Sequence, residues 1–141
     1  MNRRTLVLAL AFGLALPLLG VATADERRLD PEVEKTLKER LSLLQEAAKL
    51  QRQVYQSGQA SLSSVVSADR AVLDAELELA PTSAERLKVR EAILKNAETL
   101  EQMVEQLVKT AQATHLELLT ARAHRLRAKA DLLIEQKSAA R

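Results

Sequence analysis

The sequence predicts an all-α protein made of two tandem antiparallel helical hairpins that form an elongated, coiled-coil-like arrangement of four helices. Three observations carry that prediction. The 141 residues include one Tyr, one Phe, no Trp and no Cys, while 47% are hydrophobic and 28% are charged. Aromatic side chains normally fill sheets, sandwiches and cofactor pockets, so their near absence beside abundant Ala, Leu, Glu, Lys, Arg and Gln points to helices packed on helices. The second observation is a recurring set of helix start and stop signals, and the third is a unit that occurs twice with an offset of 53 residues.

The first 24 residues stand apart. Met1-Asn2-Arg3-Arg4 is a short basic start, Leu6 to Leu19 is an uncharged apolar run broken by Pro17, and Ala22-Thr23-Ala24 offers the small residues that a signal peptidase reads. A secretory signal peptide is expected over 1–24, because the apolar run is shorter than the roughly 20 residues of a spanning helix. Its removal takes away two of the 21 basic residues, which leaves 19 against 19 acidic residues and no net charge. A neutral chain with interspersed charges has no electrostatic footprint for nucleic acid. The residual chain keeps one Gly, Gly58, and one aromatic, Tyr55. An exported chain without Cys cannot be disulfide-stapled, so its stability must come from apolar burial, and a bacterial periplasm is the expected location, with outer-membrane association open.

After a linker at 25–29, the first repeat is expected over 30–80. Asp30-Pro31-Glu32 combines an N-cap residue, a proline at the first helical position and an acid in the first turn. Leu37, Leu41, Leu44 and Ala48 then recur at alternating spacings of three and four, which predicts a helix over 31–56. Ser57-Gly58 should end it, because Gly accepts the left-handed conformation that closes helices, and Ser61 is placed to cap a helix over 62–80. That helix carries Val65, Val66, Val72, Leu73 and Leu79, and Pro81 stops it.

The second repeat is expected over 81–141. Thr82-Ser83-Ala84-Glu85 is a capping box that opens a helix over about 83–109, with Val89, Ile93, Leu100, Met103 and Leu107 on its inner face. Thr114-His115-Leu116-Glu117 is a second capping box and predicts a break near 110–113, although no Gly is present there. Leu116, Leu119, Ala123, Leu126, Ala130 and Leu133 then form a strict three-four repeat of the kind that makes a supercoiled seam.

The duplication rests on turn chemistry as well as on leucines. Asp30 maps to Ser83 and Ser61 to Thr114, so the caps coincide, and Gln59-Ala60 maps to Gln112-Ala113. Leu73 maps to Leu126, Ala75 to Ala128 and Leu79 to Leu132. Heptad periodicity alone does not reproduce caps and turns, so two copies of one helical hairpin are implied.

Tyr55-Gln56-Ser57-Gly58-Gln59-Ala60-Ser61, followed by Val65-Val66-Ser67-Ala68-Asp69-Arg70-Ala71-Val72-Leu73-Asp74-Ala75-Glu76, resembles the aromatic-x-x-Gly turn and the downstream Val/Leu-x-Ala and Leu-x-x-Ala pattern of TolC-like outer-membrane efflux proteins. In the second copy Val108 stands for the aromatic and Ala111 for the Gly. The resemblance covers the hairpins only: no segment alternates over the ~9 to 11 residues that a barrel strand requires. It implies that Tyr55, Gly58, Gln59, Ala60, Ala111, Gln112 and Ala113 occupy hairpin tips that meet a protein partner, either a periplasmic adaptor or an efflux tunnel subunit. Independently of any family, Gly58 suits a tight reversal, and Tyr55 one turn earlier can pack against the returning helix or a partner. Both residues also serve a turn that binds nothing.

No enzyme is predicted. His115 and His124 are nine residues apart, which puts them on opposite faces of a helix, so no metal or other cofactor is expected. The serines around Gly58 have no base near them in sequence, and the acidic residues alternate with basic ones as on a solvated face. The expected function is therefore that of a non-catalytic periplasmic interaction module in an efflux or transport assembly, through tips or helix seams, or by self-association. The alternative is a free-standing helical chaperone or stress sensor that holds clients in an apolar groove.

Overall fold

The computed structural model describes residues 27–140. Those residues are all-α: α1 (Pro31–Gln56), α2 (Leu62–Leu79), α3 (Ser83–Lys109) and α4 (His115–Ala139), with no strand among them. The leader expected at 1–24 lies outside the described residues.

Each boundary has a local chemical cause. The Asp30 carboxylate accepts hydrogen bonds from the backbone N–H groups of Glu32 and Val33 at the start of α1. Ser61 accepts from the Ser64 N–H at the start of α2. Both predicted capping boxes form: Thr82 and Glu85 exchange hydrogen bonds at α3, and Thr114 and Glu117 do so at α4. α2 ends at Leu79, with Ala80 extended before Pro81, whose ring cannot continue a helix. The Pro81 carbonyl accepts from the Arg27 N–H at 2.8 Å, which ties the segment before α1 to the α2–α3 turn.

Packing follows chain order. α1 lies against α2, α2 against α3 and α3 against α4, and no other pair of helices meets among the described residues. The ion pairs show that neighbours run in opposite directions. Arg40 reaches Glu78 and Arg52 reaches Asp69, each at 2.5 Å, so numbers rise along α1 as they fall along α2. Arg86 meets Glu135 at 2.7 Å, Arg90 meets Asp131 at 3.4 Å and Arg125 meets Glu101, which gives the same sense to α3 and α4. The result is an open row of four helices.

The centre of the core sits on α3. Ile93, Ala97 and Ala128 cluster with Leu73 and Leu77 of α2 and with Val89 and Leu94. Ile93 is completely enclosed, which is worth about 2 kcal/mol for an isoleucine side chain. Alanine is frequent among the buried residues, at 48, 75, 80, 97, 121 and 128, and such small side chains let helix axes approach closely.

The α4 seam expected from sequence is not the face that packs on α3. α4 buries Leu118, Ala121, Ala128 and Leu132, whereas Leu116, Leu119, Ala123, Leu126, Ala130 and Leu133 are all exposed. α4 is apolar on two sides, so a three-four repeat marks a stripe that suits a neighbour without identifying which stripe α3 takes. Leu118, Ala121, Ala128 and Leu132 are interleaved with Arg125, Asp131 and Glu135, whose ion pairs to α3 keep that face half-covered despite their charge.

Candidate functional site at the helix reversals

Two reversals join neighbouring helices at one end of the row, between α1 and α2 at 57–61 and between α3 and α4 at 110–114. Their helix-closing backbone hydrogen bonds correspond at the offset of 53, and the second reversal adds one from the Ala113 N–H to the Leu107 carbonyl. At the first, Gly58 N–H donates to the Tyr55 carbonyl at 2.9 Å and Gln59 N–H to the Val54 carbonyl at 3.0 Å. At the second, Ala111 N–H donates to Val108 at 3.1 Å and Gln112 N–H to Leu107 at 2.8 Å. Each pair closes its helix as a Schellman motif, in which the residue after the C-cap adopts the left-handed conformation. The C-cap side chains agree as well: Ser57 Oγ donates to the Val54 carbonyl and Thr110 Oγ1 to the Leu107 carbonyl.

The left-handed position is Gly58 at φ +76° in the first reversal and Ala111 at φ +56° in the second, the latter being the one non-glycine with positive φ among the described residues. For an L-residue with a Cβ that conformation costs about 1–2 kcal/mol. The second reversal therefore keeps the geometry of the first under strain that glycine would relieve. Around Gly58 an added Cβ would meet nothing within 4 Å, so glycine is needed there for its backbone freedom and not for room.

Of the residues expected at the tips, all but Tyr55 lie on these turns. Gly58, Gln59, Ala111 and Gln112 are exposed, and Ala60 and Ala113 are half-covered. Tyr55 is 42% exposed on the last turn of α1, so much of its ring is free of the returning helix, whereas its counterpart Val108 is half-buried. The two turns share an end but not a level. α3 has 27 residues and α2 has 18, so the second reversal stands about 13 Å farther from the Pro81 turn at 1.5 Å per residue.

The electrostatics of the second turn centre on Glu117. Its carboxylate accepts from the Thr114 N–H at 2.6 Å and from Thr114 Oγ1 at 2.8 Å, and these bonds, the backbone one foremost, hold its pKa below the usual carboxylate range. The serines of the first turn are occupied locally. Ser61 and Ser63 share a hydrogen bond, Ser64 Oγ donates to the Ser61 carbonyl, and Ser67 Oγ donates to the Ser63 carbonyl. His115 is exposed at the start of α4, and His124 lines an open cleft with Val66, Arg70, Asn96 and Leu100. No three His, Cys, Asp or Glu side chains converge as metal ligands among the described residues.

Sequence reasoning singled out the tips and missed one surface. α1 exposes Leu43, Leu50 and Val54 along one flank, in addition to the exposed stripe of α4. The signal was present in the spacings of 43, 47, 50 and 54, which also alternate four and three, but the stronger stripe at 37, 41, 44 and 48 drew the assignment. Among the described residues no helix is long and apolar enough to cross a membrane. Compared with protein-family models, curated proteins and solved structures, the chain matches none.

Proposed function

We propose that this protein is an exported, non-catalytic interaction module, two tandem hairpins in an elongated coiled-coil-like arrangement related to TolC-like outer-membrane efflux proteins. In this reading its tips engage a periplasmic adaptor or an efflux tunnel subunit. The observation that supports it is the pair of matching reversals at one end, the first of them presenting Tyr55 to solvent. A left-handed alanine at the second reversal means that the turn geometry persists even where the residue best suited to it has been replaced.

Site-specific photo-crosslinking in the cell tests the reading. A crosslinker at Gln59 or Gln112 should capture an adaptor or a tunnel subunit identified by mass, and Tyr55→Ala should reduce capture at Gln59 several-fold with helicity unchanged. Tyr55 is preferable to Gly58 as the perturbed residue, because any side chain at Gly58 strains the turn itself. Capture of no such component, or capture indifferent to Tyr55→Ala, would defeat the tip reading.

The exposed leucines of α1 and α4 favour a second reading, a periplasmic chaperone or stress sensor that holds clients on apolar surface. It predicts that the purified protein suppresses aggregation of an unfolded client at stoichiometric ratio. Glutamate at Leu43 and at Leu126 would abolish that effect.

A further inference from the structure

The internal repeat pairs each of the two exposed stripes with a stripe that is buried or half-buried elsewhere in the chain. On α4, Leu116, Leu119, Ala123, Leu126, Ala130 and Leu133 are exposed. Shifted back by 53 residues they fall on Ser63, Val66, Arg70, Leu73 and Leu77 of α2 and on Ala80 at its end, every one of which is buried or half-buried. Leu73 and Leu77 belong to the cluster around Ile93, and the Val66 carbonyl accepts from Asn96 Nδ2 at 3.1 Å, so this is the face that α2 turns to α3. On α1, Leu43, Ala47, Leu50 and Val54 are exposed, and 53 residues on they become Asn96, Leu100, Met103 and Leu107, all of them half-buried.

The row thus ends in two halves of an interface that it already contains once. α4 carries the α2 half without an α3, and α1 carries the α3 half without an α2. The unpartnered α4 stripe is also the more apolar version: its six residues are Leu and Ala, where the packed α2 stripe includes Ser63 and Arg70. A face meant for water has no physical reason to be more apolar than its buried counterpart.

We infer that copies of this chain add head to tail, with α4 of one copy packed antiparallel on α1 of the next in the register of the α2–α3 contact. The Val66–Asn96 contact fixes that register, since the same shift sets Leu119 opposite Leu43 of the next copy. An overlap the length of α2, 18 residues, gives a seam about 27 Å long. The contact is heterologous, so each addition leaves the same two edges, and growth ends only when a ring closes. The pairing uses helix edges and involves no tip residue, so it stands or falls separately from the adaptor reading.

The absence of cysteine makes the test direct. The chain is expressed in full, purified in the form that the host leaves, and oxidised as Leu43→Cys, as Leu119→Cys and as the double variant. α1 and α4 of one copy do not meet, so no disulfide can close within a chain. The double variant should give a reducible ladder beyond the dimer or one covalent ring, and each single variant should remain uncrosslinked. A double variant that stays monomeric overturns the proposal, as does a Leu119→Cys single variant that dimerises equally well, since that result means α4 on α4. Sedimentation supplies the second measurement. Wild type should sediment as an oligomer at micromolar concentration, and Leu119→Glu or Leu43→Glu alone as a monomer with unchanged helical circular dichroism. Mixing the two glutamate variants should restore a 1:1 dimer, because one intact α4 then meets one intact α1. A monomeric wild type, or a mixture that does not associate, refutes head-to-tail addition.

Discussion

Replacing Ala111 by glycine should stabilise the protein, although glycine is ordinarily the costlier residue. Ala111 sits at φ +56°, where its Cβ crowds the adjoining carbonyl, a penalty of about 1–2 kcal/mol that glycine lacks. Glycine widens the unfolded ensemble, which takes back about 0.4–1 kcal/mol. The difference leaves a net gain on the order of 0.5–1 kcal/mol. For a chain of this size that gain raises the melting temperature by roughly 2–5 °C. Gly58→Ala should lose a similar amount, and since an added Cβ there touches nothing, packing can neither deepen nor soften the loss. The two reversals share no hydrogen bond, so the exchanged pair Gly58→Ala with Ala111→Gly should return close to wild type. Thermal and guanidinium melts followed by circular dichroism, at one protein concentration so that association does not move the midpoint, measure all three variants. If Ala111→Gly lowers the midpoint, or if Gly58→Ala leaves it unchanged, the left-handed conformation does not set the stability of these turns.

Truncating the enclosed Ile93 to Ala should cost about 2–5 kcal/mol in guanidinium denaturation, because the α2–α3–α4 junction cannot collapse onto the vacated volume without moving a helix. Glu101 receives both Arg122 and Arg125, so Glu101→Gln should destabilise by about 1 kcal/mol, with the loss shrinking as salt is added. Thr114→Ala removes the cap of α4 and should cost about 1 kcal/mol, visible as faster amide exchange at Glu117 and Leu118. The hydrogen bonds from Thr114 lower the folded pKa of Glu117, so the stability it contributes is present above the usual carboxylate value and disappears as pH falls through the depressed one. An NMR titration should find Glu117 more acidic in wild type than in Thr114→Ala, and equal values would contradict the assignment.

The helix limits were legible because each is written in local chemistry. Asp30 with Pro31, Ser61, Thr82 with Glu85, and Thr114 with Glu117 act within three residues of themselves, and nothing tertiary competes with them. The equivalence of Ala111 with Gly58 was readable from the repeat, while the strain at Ala111 required the backbone angle. The partner of each face was not legible. Periodicity reports that Leu119 and Leu126 belong to a stripe, but whether α3 or another molecule covers that stripe depends on a rotation of α4 set by Arg86–Glu135, Arg90–Asp131 and Arg125–Glu101. Those pairs lie far apart in sequence, and charges on so many neighbouring positions hide the few that meet. The 13 Å step between the reversals follows from the unequal lengths of α2 and α3 and becomes meaningful only once both helices are known to start from the Pro81 turn.

Contacts confined to neighbours in the chain also govern how the polypeptide reaches its native state. Every helix docks on the one made just before it, so no long loop must close ahead of the contacts that reward it. Low contact order of this kind accompanies folding in microseconds to milliseconds, with stability spread along a line in nearest-neighbour increments. A chain that emerges one end first as it is made can assemble in the order of its emergence, α2 onto α1 and then α3 onto α2. The last helix to arrive, α4, finds its α3 face already waiting.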